Sequence, residues 1–330
     1  MSKKQKIVFW GAVLLCMSSV LLSLCFGAAN LTLHELWHAI KNGPSGIAGY
    51  IFWYSRLPRT CACLLAGAAL SLAGCILQSV LGNKLASPGI IGVNAGAGLA
   101  VTVCCALGAL SGWAVSLASF GGALFAVMIV VWLAKKTGAS RSTVILSGVA
   151  INSIFGALRD AVTVLVPETA MLSNEFRVGT FSSVVPTRLL PAGILIVAAI
   201  ILVMTLCNEL DVISLGEETA GSLGMPVKKI RMLFLILAAI LAGASVSFAG
   251  LLGFVGLLVP HMARKFVGGE SRYLLPVSGL LGAGFVTWCD FASRMLFAPY
   301  ELPVGILMSA FGGPFFLFLL LKRKGGHHRA

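Results

Sequence analysis

The stretch Arg56–Gly98, RLPRTCACLLAGAALSLAGCILQSVLGNKLASPGIIGVNAGAG, reads as one apolar span over about 61–81, a short polar turn, and the start of a second span over 90–110. At 1.5 Å per residue, a helical run near 20 residues crosses a hydrocarbon core of about 30 Å. Small residues recur four apart at Gly67/Ser71 and Gly92/Gly96. In lipid, that spacing lets helix backbones approach closely. Two arginines, Arg56 and Arg59, stand at the threshold of the first span.

The same pattern recurs outward from this stretch. Spans are expected at about 7–27, 61–81, 90–110, 113–134, 142–166, 191–208, 230–250, 251–267, 274–297 and 305–321. Hydrophobic residues make up 58% of the chain and charged residues 11%, against about 25% charged in an ordinary soluble domain. No polar stretch is long enough for a separate soluble domain. The expectation is an all-α, polytopic membrane protein, residues 1–330 forming one embedded domain of about ten transmembrane helices. The basic start and apolar run at the N-terminus resemble a secretory signal, but the run is longer than a typical signal core and reads as an uncleaved first span. The nine cysteines, including Cys61/Cys63 and Cys104/Cys105, lie almost entirely in apolar spans without CxxC or Cys/His spacing. They read as small buried hydrophobes, and no metal or cofactor is expected.

A net charge of +13 suggests a nucleic-acid binder only until the charges are placed. They fall in short clusters between spans, as the positive-inside rule expects of cytoplasmic loops. With both termini inside, the outer segments hold only Lys41, Arg56, Arg59, Arg159, Arg177, Arg188 and Arg294 of the 24 basic residues. The tails 1–6 and 322–330 and the loop 209–229 are then cytoplasmic. Segments LAGAALSLAG (Leu65–Gly74) and LAGASVSFAG (Leu241–Gly250) agree at seven of ten positions in spans of opposite direction. An inverted repeat, common in transporters, would produce this echo.

Of the acidic residues only Asp290 sits well inside a span, four residues before Arg294, so the two share a helix face and can neutralise each other. An ion-coupled secondary transporter, the alternative reading, usually carries several buried carboxylates or histidines. A membrane-embedded enzyme would need a cluster of polar catalytic groups. Neither set is offered, and no catalytic residue is assigned. His261 reads as a helix-end residue, and His327/His328 as part of a solvated tail. The inner loop Asn208–Arg231 contains SLGEETAGSLG, in which Leu215, Thr219 and Leu223 share a helical face. Gly216 and Gly224 bracket this segment, and Pro226 stops it. Glu217 and Glu218 complement the helix N-terminus, and Ala220 and Gly221 leave little bulk. So short a helix is marginal alone in water. It reads either as a capped surface helix or as one docked in a groove of another protein.

Four blocks together resemble the permease family of type II ABC importers for iron siderophores, haem and vitamin B12. They are Arg56–Gly98, SLGEETAGSLG, AGLLGFVGLLVPHMARKFVGGESRYLLPVSGLLGA (Ala249–Ala283) and DFASRMLFAPYELPVGILMSAFGGPFFLFLL (Asp290–Leu320). Lys84 departs from the family, which most often has proline there, and the second span is unusually rich in cysteine. The resemblance implies a permease in a bacterial cytoplasmic membrane, paired with a second copy or close paralogue. It further implies two ATP-binding subunits below and an extracytoplasmic substrate-binding protein outside. No GxxxxGK[ST] motif occurs, so ATP hydrolysis would lie in another chain. By similarity, Arg56, Arg59 and Arg294 would pair with acidic residues of the binding protein. Leu215, Gly216, Glu217, Glu218, Ala220, Gly221, Leu223 and Gly224 would couple to the ATPase. Gln78, Asn83, Asn94, Asn152 and Ser153 would line the path, with Ser140, Ser142 and Thr143 near an inner gate. Each of these polar residues has a simpler alternative, a hydrogen bond to a neighbouring helix.

Overall fold

The computed structural model describes residues 2–27, 29, 31–137, 140–298 and 300–324, and only the backbone of 33 and 316–324. The described residues form helices without strands. In order these are α1 (Lys3–Cys25), α2 (Leu33–Asn42), α3 (Gly46–Tyr50), α4 (Leu57–Val80), α5 (Val93–Ala106), α6 (Gly112–Lys136), α7 (Arg141–Leu165) and α8 (Glu168–Leu172). They continue as α9 (Asn174–Val178), α10 (Pro186–Thr205), α11 (Cys207–Ser214), α12 (Glu217–Ser222), α13 (Val227–Ala249), α14 (Val255–Val267), α15 (Ser271–Met295) and α16 (Val304–Lys324). A π-helical turn, Ile51–Arg56, joins α3 to α4. The wider turn lies directly before Pro58, whose ring removes an N–H and crowds the carbonyl four residues back.

Each of the ten expected segments carries a helix. Seven helical runs are long and apolar enough to cross a membrane: α1, α3–α4, α6, α7, α10, α13 and α15. Helices α5 and α14 are shorter, 14 and 13 residues, because the segments before them are turns. Irregular backbone at membrane depth is tolerated where protein covers it, and Ala86, Ile91 and Leu252 in those turns are buried.

Packing follows the small residues. A Cβ on Gly67 would collide with the Gly282 carbonyl, one on Gly74 with that of Gly256, and one on Gly96 with that of Gly122. These positions bring α4 onto α15 and α14, and α5 onto α6. At the first contact the Ser71 hydroxyl donates to the Ser278 carbonyl at 2.8 Å. Neighbour relations also repeat across the chain. Helix α4 packs on α15 and α14 as α13 packs on α6 and α5; α5 lies against α6 and α7 as α14 lies against α15 and α16. Both short helices begin after a left-handed residue, Gly92 (φ 93°) and Phe254 (φ 63°). Helices α4 and α13, which carry the sequence echo, run in opposite directions. This is the arrangement of an inverted repeat.

One end of the bundle gathers Lys3–Lys6, the 81–92 turn, α11, α12 and the α14–α15 connection. Its ties include the Gln5 amide donating to the Val267 carbonyl at 3.1 Å and the Ser271 N–H donating to Asp211 at 2.8 Å. Apart from Lys41, the lysines lie at this lysine-rich end.

Candidate functional site

At the opposite end, α1 stops while α4 begins and α15 ends beside it. The last carbonyls of α1 have no partner within the helix. Arg56 supplies one, its guanidinium donating to the carbonyls of Leu24 (2.7 Å), Cys25 (2.7 Å) and Ala29 (2.6 Å). A cation at a helix C-terminus also complements the macrodipole. Arg294 joins the same helix end, donating to the Ser23 hydroxyl at 2.9 Å. Ser23 in turn shares a 2.8 Å hydrogen bond with Thr60, which donates to the Arg56 carbonyl.

Asp290 is the hub of this cluster, with no exposed surface. Its carboxylate accepts from Arg59 Nε at 3.0 Å, lies 3.0 Å from Arg59 Nη2, and meets Arg294 Nε at 3.1 Å. Arg59 Nη1 reaches outward to Glu301 at 2.8 Å. Three arginines, two carboxylates, two hydroxyls and the end of α1 thus form one connected network.

This geometry changes the reading of the arginines as outward-pointing. All three sit at the expected end, but Arg56 and Arg294 are each only 4% exposed. The orphan carbonyls of α1 and the buried Asp290 draw them inward. Arg59 is the member that reaches toward the surface, where Glu301 is about one-third exposed (34%). The spacing of Asp290 and Arg294 announced their pair. Glu301, Ser23 and Thr60 carried no comparable signal.

At the lysine-rich end, α12 lies between Gly216 (φ 119°) and Gly224 (φ 81°). Both glycines hold conformations that a side chain would strain. Leu215 and Leu223 are exposed (62% and 64%), Glu218 and Thr219 are exposed, and Glu217 pairs with buried Arg231 at 3.1 Å. Ala220 is fully buried. Its methyl faces the body of this chain, which corrects the expectation that it enters a partner's groove. Gly221 is exposed, and a Cβ there meets nothing within 4 Å.

The polar path candidates fall into separate groups. Buried Gln78 binds α14, its amide donating to the Gly256 carbonyl at 3.3 Å while its oxygen accepts from Arg264 at 3.2 Å. Asn83 shapes the turn by accepting from the Leu85 N–H. Asn152 holds the 87–92 segment through the Gly89 carbonyl at 2.8 Å, close to half-buried Asn94. Ser140 caps α7 and bonds Thr143 at 2.7 Å. Ser142 and Ser153 are exposed on α7, on a stripe with Leu146 and Val149. The structure does not gather these residues around one cavity of the single chain. His261 makes an interaction within the fold, and His327 and His328 lie outside the described residues.

The chain matches the FecCD transport family over residues 14–322. It belongs to that family. Among its relatives is the hemin transport system permease protein HmuU of Yersinia pestis, 33% identical over 305 residues and covering 90% of each chain. Another is the vitamin B12 import system permease protein BtuC of Salmonella paratyphi A, 35% identical over 314 residues, covering 94% of this chain and 93% of that one. A solved metal-chelate type ABC transporter in an inward-facing conformation superposes with a TM-score of 0.85 at 27% identity, covering 96% of this chain and 99% of that one. The FecCD chain is therefore a transport permease with an ABC-permease fold.

Proposed function

We propose that this chain is the membrane subunit of an ATP-driven importer that carries an iron chelate inward across a bacterial cytoplasmic membrane. A ferric siderophore is the first candidate, with haem and cobalamin next. The observation that carries the reading is α12: a short helix at the lysine-rich end, braced by Glu217–Arg231, with Leu215 and Leu223 held out of the body. Exposed leucines flanking a short braced helix outside the spans suit docking into a groove of a motor subunit. The lysine-rich end is then cytoplasmic.

A second permease copy fits the stripe on α7. That helix is the least apolar of the seven long runs, and its exposed face mixes Ser142 and Ser153 with Leu146 and Val149. Such a face suits a path shared between two copies better than lipid. At the other end, Arg59 with Glu301 offers a charged margin to an acidic binding protein, while Arg56 and Arg294 hold the helices beneath it. An ion-coupled transporter is disfavoured because Asp290 is committed to two arginines rather than free to carry a proton or cation.

The test is co-reconstitution with a candidate ABC ATPase and a candidate substrate-binding protein, followed by uptake of a panel of ferric siderophores, haem and cobalamin. ATP-dependent accumulation of one chelate is expected. Accumulation driven by an ion gradient without ATP refutes the reading.

A further inference from the structure

We propose that His34 and His38 on α2 form a binding site for one first-row transition-metal dication, at the end of the molecule opposite the lysine-rich one. The two histidines are four residues apart, on one helix face. Their ring centroids are 4.5 Å apart. A tetrahedral ion with metal–nitrogen bonds of about 2.0–2.1 Å needs two nitrogens roughly 3.3 Å apart. With the rings this close, rotation about the side-chain torsions is what would set two of their nitrogens at that separation.

The presenting helix is held firmly. Thr32 and Glu35 form a reciprocal capping box, the Thr32 N–H donating to Glu35 at 2.7 Å and the Glu35 N–H donating to the Thr32 hydroxyl at 3.3 Å. Leu36 and Ala39 pack against Phe52, and the Trp53 indole donates to the Ala39 carbonyl at 2.9 Å. Both histidines are exposed and border an open cleft of about 320 Å³, shared with Asn42, Ser45 and Gly49.

A second contact tunes the site. The Asn42 amide lies 3.2 Å from His38 Nδ1. Amide oxygen and nitrogen are alike in shape, and either orientation fits the same envelope. With the oxygen accepting from Nδ1–H, His38 Nε2 keeps its lone pair for a metal. Ligating histidines are commonly fixed in this way.

The segment His34-Glu35-Leu36-Trp37-His38 also has the H-E-x-x-H spacing of zinc peptidases, where the glutamate is the general base. Here the Glu35 carboxylate is turned away, accepting from the Thr32 N–H at 2.7 Å and its hydroxyl at 2.8 Å. Among the described residues no group of three His, Cys, Asp or Glu converges to hold a metal. The site therefore binds an ion completed by water and does not hydrolyse peptides. Imidazole donors favour Cu²⁺ over Ni²⁺ and Zn²⁺, and those over Co²⁺, while Mg²⁺ and Ca²⁺ prefer oxygen.

The test uses the full chain in detergent, carrying His327→Ala and His328→Ala so that the terminal pair cannot compete, with its accessible thiols alkylated so that they neither bind nor reduce the ion. Cu²⁺ is titrated by calorimetry, and the bound ion is examined by electron paramagnetic resonance. One ion per chain with two nitrogen ligands is expected. His34→Ala and His38→Ala should each weaken binding at least tenfold and leave one nitrogen. Both positions are exposed, so neither change should alter the metal-free melting temperature. Equal Cu²⁺ affinity in the parent and both variants, or a parent spectrum with no imidazole nitrogen, overturns the site.

Discussion

Replacing Asp290 by asparagine keeps the shape of the side chain but removes the charge on which two arginines depend. Arg59 and Arg294 approach it at 3.0 and 3.1 Å, and none of its surface is exposed. Breaking one partner out of a buried ion pair costs about 3–5 kcal/mol, because the remaining charge stays buried. A Coulomb estimate at 4 Å and an effective dielectric of 20 gives about 4 kcal/mol for one pair. Glu301 remains to serve Arg59, whereas Arg294 keeps only the Ser23 hydroxyl and the carbonyls of Phe26 and Asp290. The loss should therefore sit near 3–5 kcal/mol rather than twice that. At roughly 2 °C per kcal/mol for a long chain, Asp290→Asn should melt about 6–10 °C lower.

The chain provides its own probe. Its described cysteines are all free, and Cys63, Cys75 and Cys289 are buried, so a thiol-reactive dye reports unfolding in detergent. Arg294→Met added to Asp290→Asn should recover part of the loss, giving a coupling energy of about 1–3 kcal/mol in a double-mutant cycle. High salt should leave the wild-type melt almost unchanged, since buried pairs are poorly screened. A melt for Asp290→Asn within 2 °C of wild type, with no coupling to Arg294, would refute the hub role.

Arg56→Glu places a carboxylate against three carbonyls, so it should lower the melting temperature of the isolated permease by several degrees before any binding protein is added; an unchanged melt returns Arg56 to a pure docking role. Gly221→Trp points into open space and should leave the melt intact while uncoupling ATP hydrolysis from uptake in liposomes. Ala220→Trp has no room and should destabilise the chain by about 1–3 kcal/mol, and equal behaviour of the two variants would reject the assigned faces of α12. Hydrogen bonds from the Thr32 N–H and hydroxyl hold the Glu35 carboxyl below its usual range. That cap is therefore fully present above the ordinary carboxylate value and lost as pH falls through the lowered one. Hydrogen exchange in α2 should show the step, and Thr32→Ala should remove it.

Local signals were legible in the sequence, and distant ones were not. The ten helical segments follow from runs of apolar residues, and a close approach of α4 to some neighbouring helix follows from Gly67 and Ser71, though not that α15 is the neighbour. The pair Asp290–Arg294 follows from a separation of four. Arg59, by contrast, meets Asp290 across 231 residues, and no spacing rule spans that distance. Arg56 is held by backbone carbonyls, which have no letter in the sequence. The capping box Thr32-x-x-Glu35 was a readable start for α2, but that helix is short and polar, and a search for membrane spans passes over it. In α12 a turn of one residue decides whether Ala220 or Gly221 faces out, a register that so short a segment leaves open.

The same contacts account for the exceptions in the charge pattern. The positive-inside bias concerns charges that are free to interact with the membrane during insertion, yet six arginines lie at the end opposite the lysines. Arg59 and Arg294 are neutralised by Asp290 and Glu301, and Arg159 pairs with Asp160 at 2.8 Å. Arg56 and Arg188 spend their donors on carbonyls, Arg188 on those of Ser183 and Gly112 at 2.7 and 3.3 Å. Arginine suits this work because its planar fork serves several acceptors at once, whereas lysine is a hydrated point charge. Apart from Lys41 the lysines gather at one end, while five of the six arginines at the other are taken up by contacts within the chain, which is why those five do not argue against a cytoplasmic lysine-rich end.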